Sequence, residues 1–152
     1  MRKIGKYRGQ IRKTKQWVYG YLVYSPSATS YCIVEIGNIL PCDDAPLGDT
    51  ISVYHEVEYK SIGEYTGLVD KNGKEIYEGD IFYEEESHTP MSEWGKYYVV
   101  YDNSESAFML QYENHDKRLR YKFNALNIGN IIGNIYENNV LIENKQNNKE
   151  EK

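Results

Sequence analysis

Apolar and polar residues alternate in short runs along this chain, and no run sustains a helical period over the ten or so residues needed to name one. "WVYGYLVY" at Trp17 to Tyr24 is aromatic and β-branched, and it ends at Ser25-Pro26. It predicts a strand followed by a turn. "YCIVEI" at Tyr31 to Ile36 predicts a second strand. "ISVYHEVE" at Ile51 to Glu58 alternates, with Ile51, Val53, His55 and Val57 sharing one face. Asn38 to Thr50, with Pro41, Pro46 and Gly48, reads as the loop between them.

The same grammar continues in "EYTGLVDKNGKEIYEGDI" from Glu64 to Ile81. Tyr65 to Val69 forms a short strand, and Asp70-Lys71-Asn72-Gly73 turns, because Asn-Gly accepts the positive φ of a tight hairpin. Glu75 to Tyr77 returns, Glu78-Gly79 turns again, and Ile81 to Tyr83 starts the next strand. After a polar loop at Glu84 to Glu93, "KYYVVYD" and "AFMLQY" form a hairpin about Asn103-Ser104. "LRYKF" at Leu119 to Phe123 alternates, and "IIGNIYEN" at Ile131 to Asn138 is a last extended segment. Many short strands with frequent turns predict an all-β fold. It is a compact small barrel or sandwich of short antiparallel strands with little helix. The core is expected from Val18, Leu22, Ile33, Val53, Ile81, Val99, Phe108, Leu110, Ile132 and Ile135.

A length of 152 residues fits one domain, assigned to residues 1–144, which can bury about 70 % of its unfolded surface without disulfides. Residues 145–152 are charged, with nothing to bury, and are expected to be a disordered tail. No apolar run reaches the roughly 20 residues of a membrane span, and no apolar stretch follows the basic start as in a signal peptide. Membrane partners are therefore not expected.

Composition adds sixteen tyrosines against three phenylalanines, which suits a tyrosine-rich sheet surface. Charge is segregated. Arg2, Lys3, Lys6, Arg8, Arg12, Lys13 and Lys15 form a basic arm without acids, while residues 43–86 hold thirteen acids and three lysines. The acidic balance disfavours nucleic acid as a partner, because phosphate contacts supply most non-specific affinity. The arm and the acidic segment can meet within one chain or between subunits, and a homo-oligomer is expected.

The candidate chemistry is sparse. Cys32 and Cys42 fit no zinc spacing and read as reduced thiols. His55 lies on an apolar strand face, and His88 and His115 lie in polar loops. A Cys32–His55 couple is sequentially possible, since such pairs are spatial. There is no nucleophile elbow, Walker loop or HExxH. Asp70, Glu75, Glu78 and Asp80 could in principle hold Mg²⁺ or act as acid and base. Each has a turn-capping or surface explanation, which is the favoured reading, and the functional role assigned to the four beside it is partner binding. No catalytic residue, metal site or cofactor is expected, and the protein reads as a non-enzyme.

"IGEYTGLVDKNGKEIYEGDI" closely resembles the signature of the YopX family of phage and prophage proteins. "YRGQ" at Tyr7 to Gln10, "WVYGYLV" at Trp17 to Val23 and "IIGNIYEN" resemble that family's start and end, in family order. Glu64 stands where the family commonly has glutamine, and Ser25 to Glu56 carries no matching motif. The resemblance implies a bacteriophage or prophage origin, a β-rich fold and the cytoplasm of a host bacterium, and it carries over no catalytic residue. Together these features point to a phage-encoded accessory protein that binds a host or phage protein. An alternative is a binder or sequestrant of a small nucleotide-like ligand with a counter-defence role. Behind both stands a barrel that binds single-stranded nucleic acid.

Overall fold

Strands follow the alternating runs. The computed structural model describes residues 5–26, 28–36, 52–84, 95–112, 120–122, 129–138 and 141. The chain divides into two units, Met1–Tyr65 and Thr66–Lys152. The tail at 145–152, Cys42, His88 and His115 lie outside the described residues.

The first unit is a meander of β1 (Lys6–Gln10), β2 (Trp17–Ser25), β3 (Ser30–Ile36) and β4 (Ser52–Glu56). A 3-10 turn at Tyr59–Ser61 follows, and β5 (Gly63–Val69) returns beside β1 and runs on into the second unit. Pairing is antiparallel in the order β4-β3-β2-β1-β5. A bridge between Ile11 and Val57 also ties the end of β4 back to the end of β1. The Arg12 amide donates to the Glu56 carbonyl at 3.0 Å and the Glu58 amide to the Gln10 carbonyl at 2.9 Å. The sheet therefore curls about its core without a continuous ladder to close it. Val18, Ile33 and Val57 fill that core, with Tyr7, Ile11, Leu22, Tyr31 and Ile62 packed around them.

In the second unit β6 (Glu75–Tyr77) follows the far half of β5. A second antiparallel sheet contains β7 (Asp80–Glu84), β8 (Gly95–Asp102), β9 (Ala107–Tyr112), β10 (Arg120–Lys122) and β11 (Ile131–Asn134). Its order is β10-β9-β8-β7-β11. Ile76, Phe82 and Val99 are buried together, flanked by Leu68, Phe108, Leu110 and Ile131. The protein is thus β-rich, built from two open antiparallel sheets rather than one closed barrel.

Two expected core residues face outward. Val53 is 45 % exposed although it shares a face with Val57. It pairs with Glu35, two positions beyond the Ile33–His55 pair, where that face has passed the core. Ile132 is 44 % exposed because the register of β11 on β7 shifts between Ile131 and Gly133, and the extra residue of a bulge is turned out of the ladder. Part of the supposed basic arm is strand β1 itself. The 3-10 turn has no sequence signal, since three residues are too short to display a helical period.

Candidate functional site

The four acidic candidates lie around two consecutive turns. Asp70 closes the first. Its Oδ1 accepts the amides of Asn72 at 2.9 Å and Lys74 at 2.8 Å. Its Oδ2 accepts the amide of Ile131, 61 residues away, at 3.3 Å. Only 7 % of Asp70 is exposed. Burial alone favours the neutral acid, but the amide bonds from Lys74, Ile131 and Asn72, with the Lys74 charge, outweigh it and hold the pKa below the ordinary aspartate value.

Asp80 is 1 % exposed and anchors the second turn, where its Oδ2 accepts the Tyr77 amide at 2.8 Å. The Tyr77 hydroxyl donates to Glu75 Oε2 at 2.8 Å, and Glu78 Oε1 accepts the Tyr101 amide at 3.3 Å. Gly79 lies between Glu78 and Asp80 with φ +83. Its amide donates to the Val99 carbonyl at 2.8 Å, and its carbonyl accepts the Ile135 amide at 2.9 Å. The central signature and the terminal "IIGNIYEN" therefore fold against each other. Asn134 completes the joint, its Oδ1 accepting the amides of Tyr136 and Glu137 at 3.0 Å each. Asp70 and Asp80 are buried on backbone amides. Glu75 and Glu78, half-buried, are the members of the set within reach of a partner.

The histidine and cysteine candidates do not converge. Cys32 pairs with Glu56, and the next pair is Ile33 with His55, so the pleat places Cys32 and His55 on opposite faces of the sheet. The Cys32–His55 couple is thereby excluded. His55 Nε2 lies 3.7 Å from Glu35 Oε1 on its own face. Among the described residues no group of three His, Cys, Asp or Glu side chains is placed to hold a metal ion.

The aromatic constellation lies in the first unit. Tyr24 and Tyr31 are cross-strand partners on β2 and β3, with ring centroids 5.1 Å apart. Tyr59, the first residue of the 3-10 turn, places its ring 5.3 Å beyond Tyr31. The three rings form a ladder, with Tyr24 49 % and Tyr59 68 % exposed at its ends. Buried Ser61 fixes the turn that carries Tyr59. Its hydroxyl donates to the Glu58 carbonyl at 2.7 Å and accepts the Gln10 amide at 2.8 Å. Two ion pairs flank the turn, Arg12–Glu56 at 2.6 Å and Lys15–Glu58 at 2.7 Å. The Lys15 hydrogen bond, aided by the charges of Lys15 and Arg12 against some desolvation, lowers the Glu58 pKa. Two arm cations thus meet acids of the central segment within one chain. On the opposite face of the sheet Tyr19, Tyr21 and Val23 alternate along β2, and the row Tyr21–Val34–Tyr54 crosses three strands. Tyr19, Tyr21, Val23 and Tyr54 are exposed. The tyrosine count signalled such a surface, but Tyr59 joins the ladder only through the 3-10 turn.

Comparison with known proteins agrees with this architecture. A crystal structure of protein EF1440 from Enterococcus faecalis matches with a TM-score of 0.51 and 24 % identity, covering 91 % of this chain and 97 % of that one. At that identity the likeness concerns the fold alone. No curated protein matches the sequence. The model of the family described as "YopX protein" matches residues 6–143, which include every strand among the described residues and both halves of the clamp joining Asp70 and Gly79 to Ile131 and Ile135. The chain belongs to the YopX family.

Proposed function

We propose that this is a phage- or prophage-encoded accessory protein without enzymatic activity, which binds a host or phage protein in the cytoplasm of the host cell. The observation that carries the reading is the exposed tyrosine surface of the first unit. Tyrosine combines a large apolar ring with a polar tip and is enriched where proteins meet. The acidic candidates support it by their placement, since Asp70 and Asp80 brace turns and the signature acts as a folding clamp. Glu75 and Glu78 add negative charge at the surface of the second unit. A nucleotide-like ligand is the weaker reading, because the tyrosine rings are already in contact and Lys15, the cation of the β1–β2 turn beside Tyr59, is already paired with Glu58. No helix among the described residues is long and apolar enough to cross a membrane. Self-association belongs to the same proposal, with tyrosines as its contact.

The test is capture from phage-infected lysate with the full chain and with a Tyr24→Ser/Tyr59→Ser variant, together with sedimentation of each. A partner retained by the native chain in stoichiometric amount is the expected result. Turnover of a metabolite by the purified protein, with no retained protein, would overturn the reading.

A further inference from the structure

We infer that the Tyr24–Tyr31–Tyr59 ladder is a docking site for an extended, proline-containing peptide segment that carries acidic residues. This inference rests on the protein-binding reading above and names the chemistry of the partner.

The shape of the ladder argues for a peptide. Its rings are already in contact, at 5.1 and 5.3 Å, with interplanar angles of 53° and 37°. A flat base has no gap to enter between them, whereas the exposed rings at the two ends of the ladder offer apolar faces on which pyrrolidine rings can pack. A polyproline-type segment has no internal hydrogen bonds, so its carbonyls are available to outside donors. The phenolic hydroxyls of Tyr24 and Tyr59 supply such donors at an exposed surface. The ladder is also prepared in advance. Tyr24 and Tyr31 are held by an antiparallel pair, and Tyr59 by the Ser61 hydroxyl bridging Glu58 and Gln10. A rigid peptide meeting a rigid site loses little conformational freedom on binding.

The charge of the rim selects the sign of the ligand. The 3-10 turn carries Lys60 next to Tyr59, and Lys15 of the turn after β1 pairs with Glu58, which immediately precedes Tyr59. Two cations against one carboxylate leave a net charge of +1 at this end of the ladder. Lys60 makes no ion pair among the described residues. The Arg12–Glu56 pair belongs to the Val23–Cys32–Glu56 row, on the other face of the sheet. An acidic peptide complements this rim and a basic one is repelled. The strand connectivity offers an analogy. A four-strand meander, a 3-10 turn and a fifth strand beside the first also build SH3-type domains, whose aromatic-lined grooves take polyproline segments.

The test is fluorescence anisotropy of labelled peptides titrated with the full chain. The probes are a peptide of alternating proline and aspartate, the same peptide with alanine for proline, and a proline–lysine peptide. An adenine nucleotide and a short single-stranded oligonucleotide serve as the nucleic-acid arms. The proline–aspartate peptide is expected to bind, with the alanine version and the Tyr59→Ser variant each about tenfold weaker, as for a truncated interface anchor. Lys60→Glu should weaken binding, and about 1 M salt should weaken it further. Tyr59 is exposed, so Tyr59→Ser should melt with the native chain, and Tyr24→Ser provides a second variant if it does not. Equal binding of the alanine peptide, indifference to both tyrosine variants, or saturable binding only of the nucleotide or oligonucleotide would overturn the inference. A partner captured from lysate equally well by the Tyr24→Ser/Tyr59→Ser variant would overturn the inference and leave the protein-binding reading standing. Absence of any retained partner would remove that reading itself.

Discussion

Tyr136 occupies the space that a side chain at Gly79 would need: a Cβ at Gly79 would lie 2.7 Å from Tyr136 Cε2 and 3.0 Å from its hydroxyl. Gly79 also has φ +83, which L side chains rarely adopt. Gly73 has a similar φ of +80, but nothing lies within 4 Å of its Cβ position. The two glycines separate backbone strain from packing. Gly73→Ala should cost about 1 kcal/mol, from backbone conformation alone. Gly79→Ala should cost that plus roughly 1–3 kcal/mol of overpacking against the ring. Urea unfolding of both variants measures the difference, and equal midpoints would mean that Tyr136 yields freely.

Asp70 should make stability depend on acid. Its folded pKa lies below the ordinary aspartate value, so the folded state favours the carboxylate more than the unfolded chain does. That contribution is fully present above the unfolded value and is lost as pH falls through the folded one. Stability of the native chain should therefore drop below about pH 4. Asp70→Asn should lose stability at pH 7, by about 1–3 kcal/mol for amides left without a charged acceptor. It should also show a shallower acid limb in unfolding measured from pH 7 to pH 2. Parallel limbs would remove Asp70 from the account.

The first-unit sheet should respond unevenly across its neighbouring strands β3 and β4. Ile33 is fully buried, and Ile33→Ala should cost about 2–5 kcal/mol. Val53→Ala should stay within roughly 0.5 kcal/mol of the native chain, as exposed positions usually do. Thermal or urea unfolding decides it, and a large loss at Val53 would show that the far end of β4 is covered.

Ser61 links stability to the aromatic ladder. Ser61→Ala removes both the acceptor for the Gln10 amide and the donor to the Glu58 carbonyl at a site 3 % exposed. A loss of about 1–3 kcal/mol is expected, with weaker peptide binding because Tyr59 is no longer held beside Tyr31. Unchanged peptide affinity in a folded Ser61→Ala protein would show that the turn keeps its place without the hydroxyl.

The strand segments, the turn at Asn72-Gly73 and the family signature were all legible in the sequence, because each is local. Alternation marks a strand within a few residues, and Asn-Gly specifies a positive φ that Gly73 adopts. Asp70 as the cap of that turn was legible for the same reason, and its bonds to Asn72 and Lys74 span two and four residues. What alternation cannot fix is where a face stops being interior. Val53 and Val57 have the same parity, but only Val57 lies against Val18 and Ile33. One bulge between Ile131 and Gly133 was enough to turn Ile132 outward.

The tertiary structure alone decided which distant segments meet. The Asp70–Ile131 bond, the Gly79–Tyr136 contact and the Tyr24–Tyr31–Tyr59 ladder join residues that sequence order keeps apart. The sequence supplied the acids, the glycine and the tyrosines in their local settings. Folding turned Asp70 and Asp80 inward onto backbone amides, because buried amides need acceptors. It left the tyrosine ladder partly at the surface because Tyr24 lies at the end of β2 and Tyr59 on a turn, beyond the interior that Val18, Ile33 and Val57 fill.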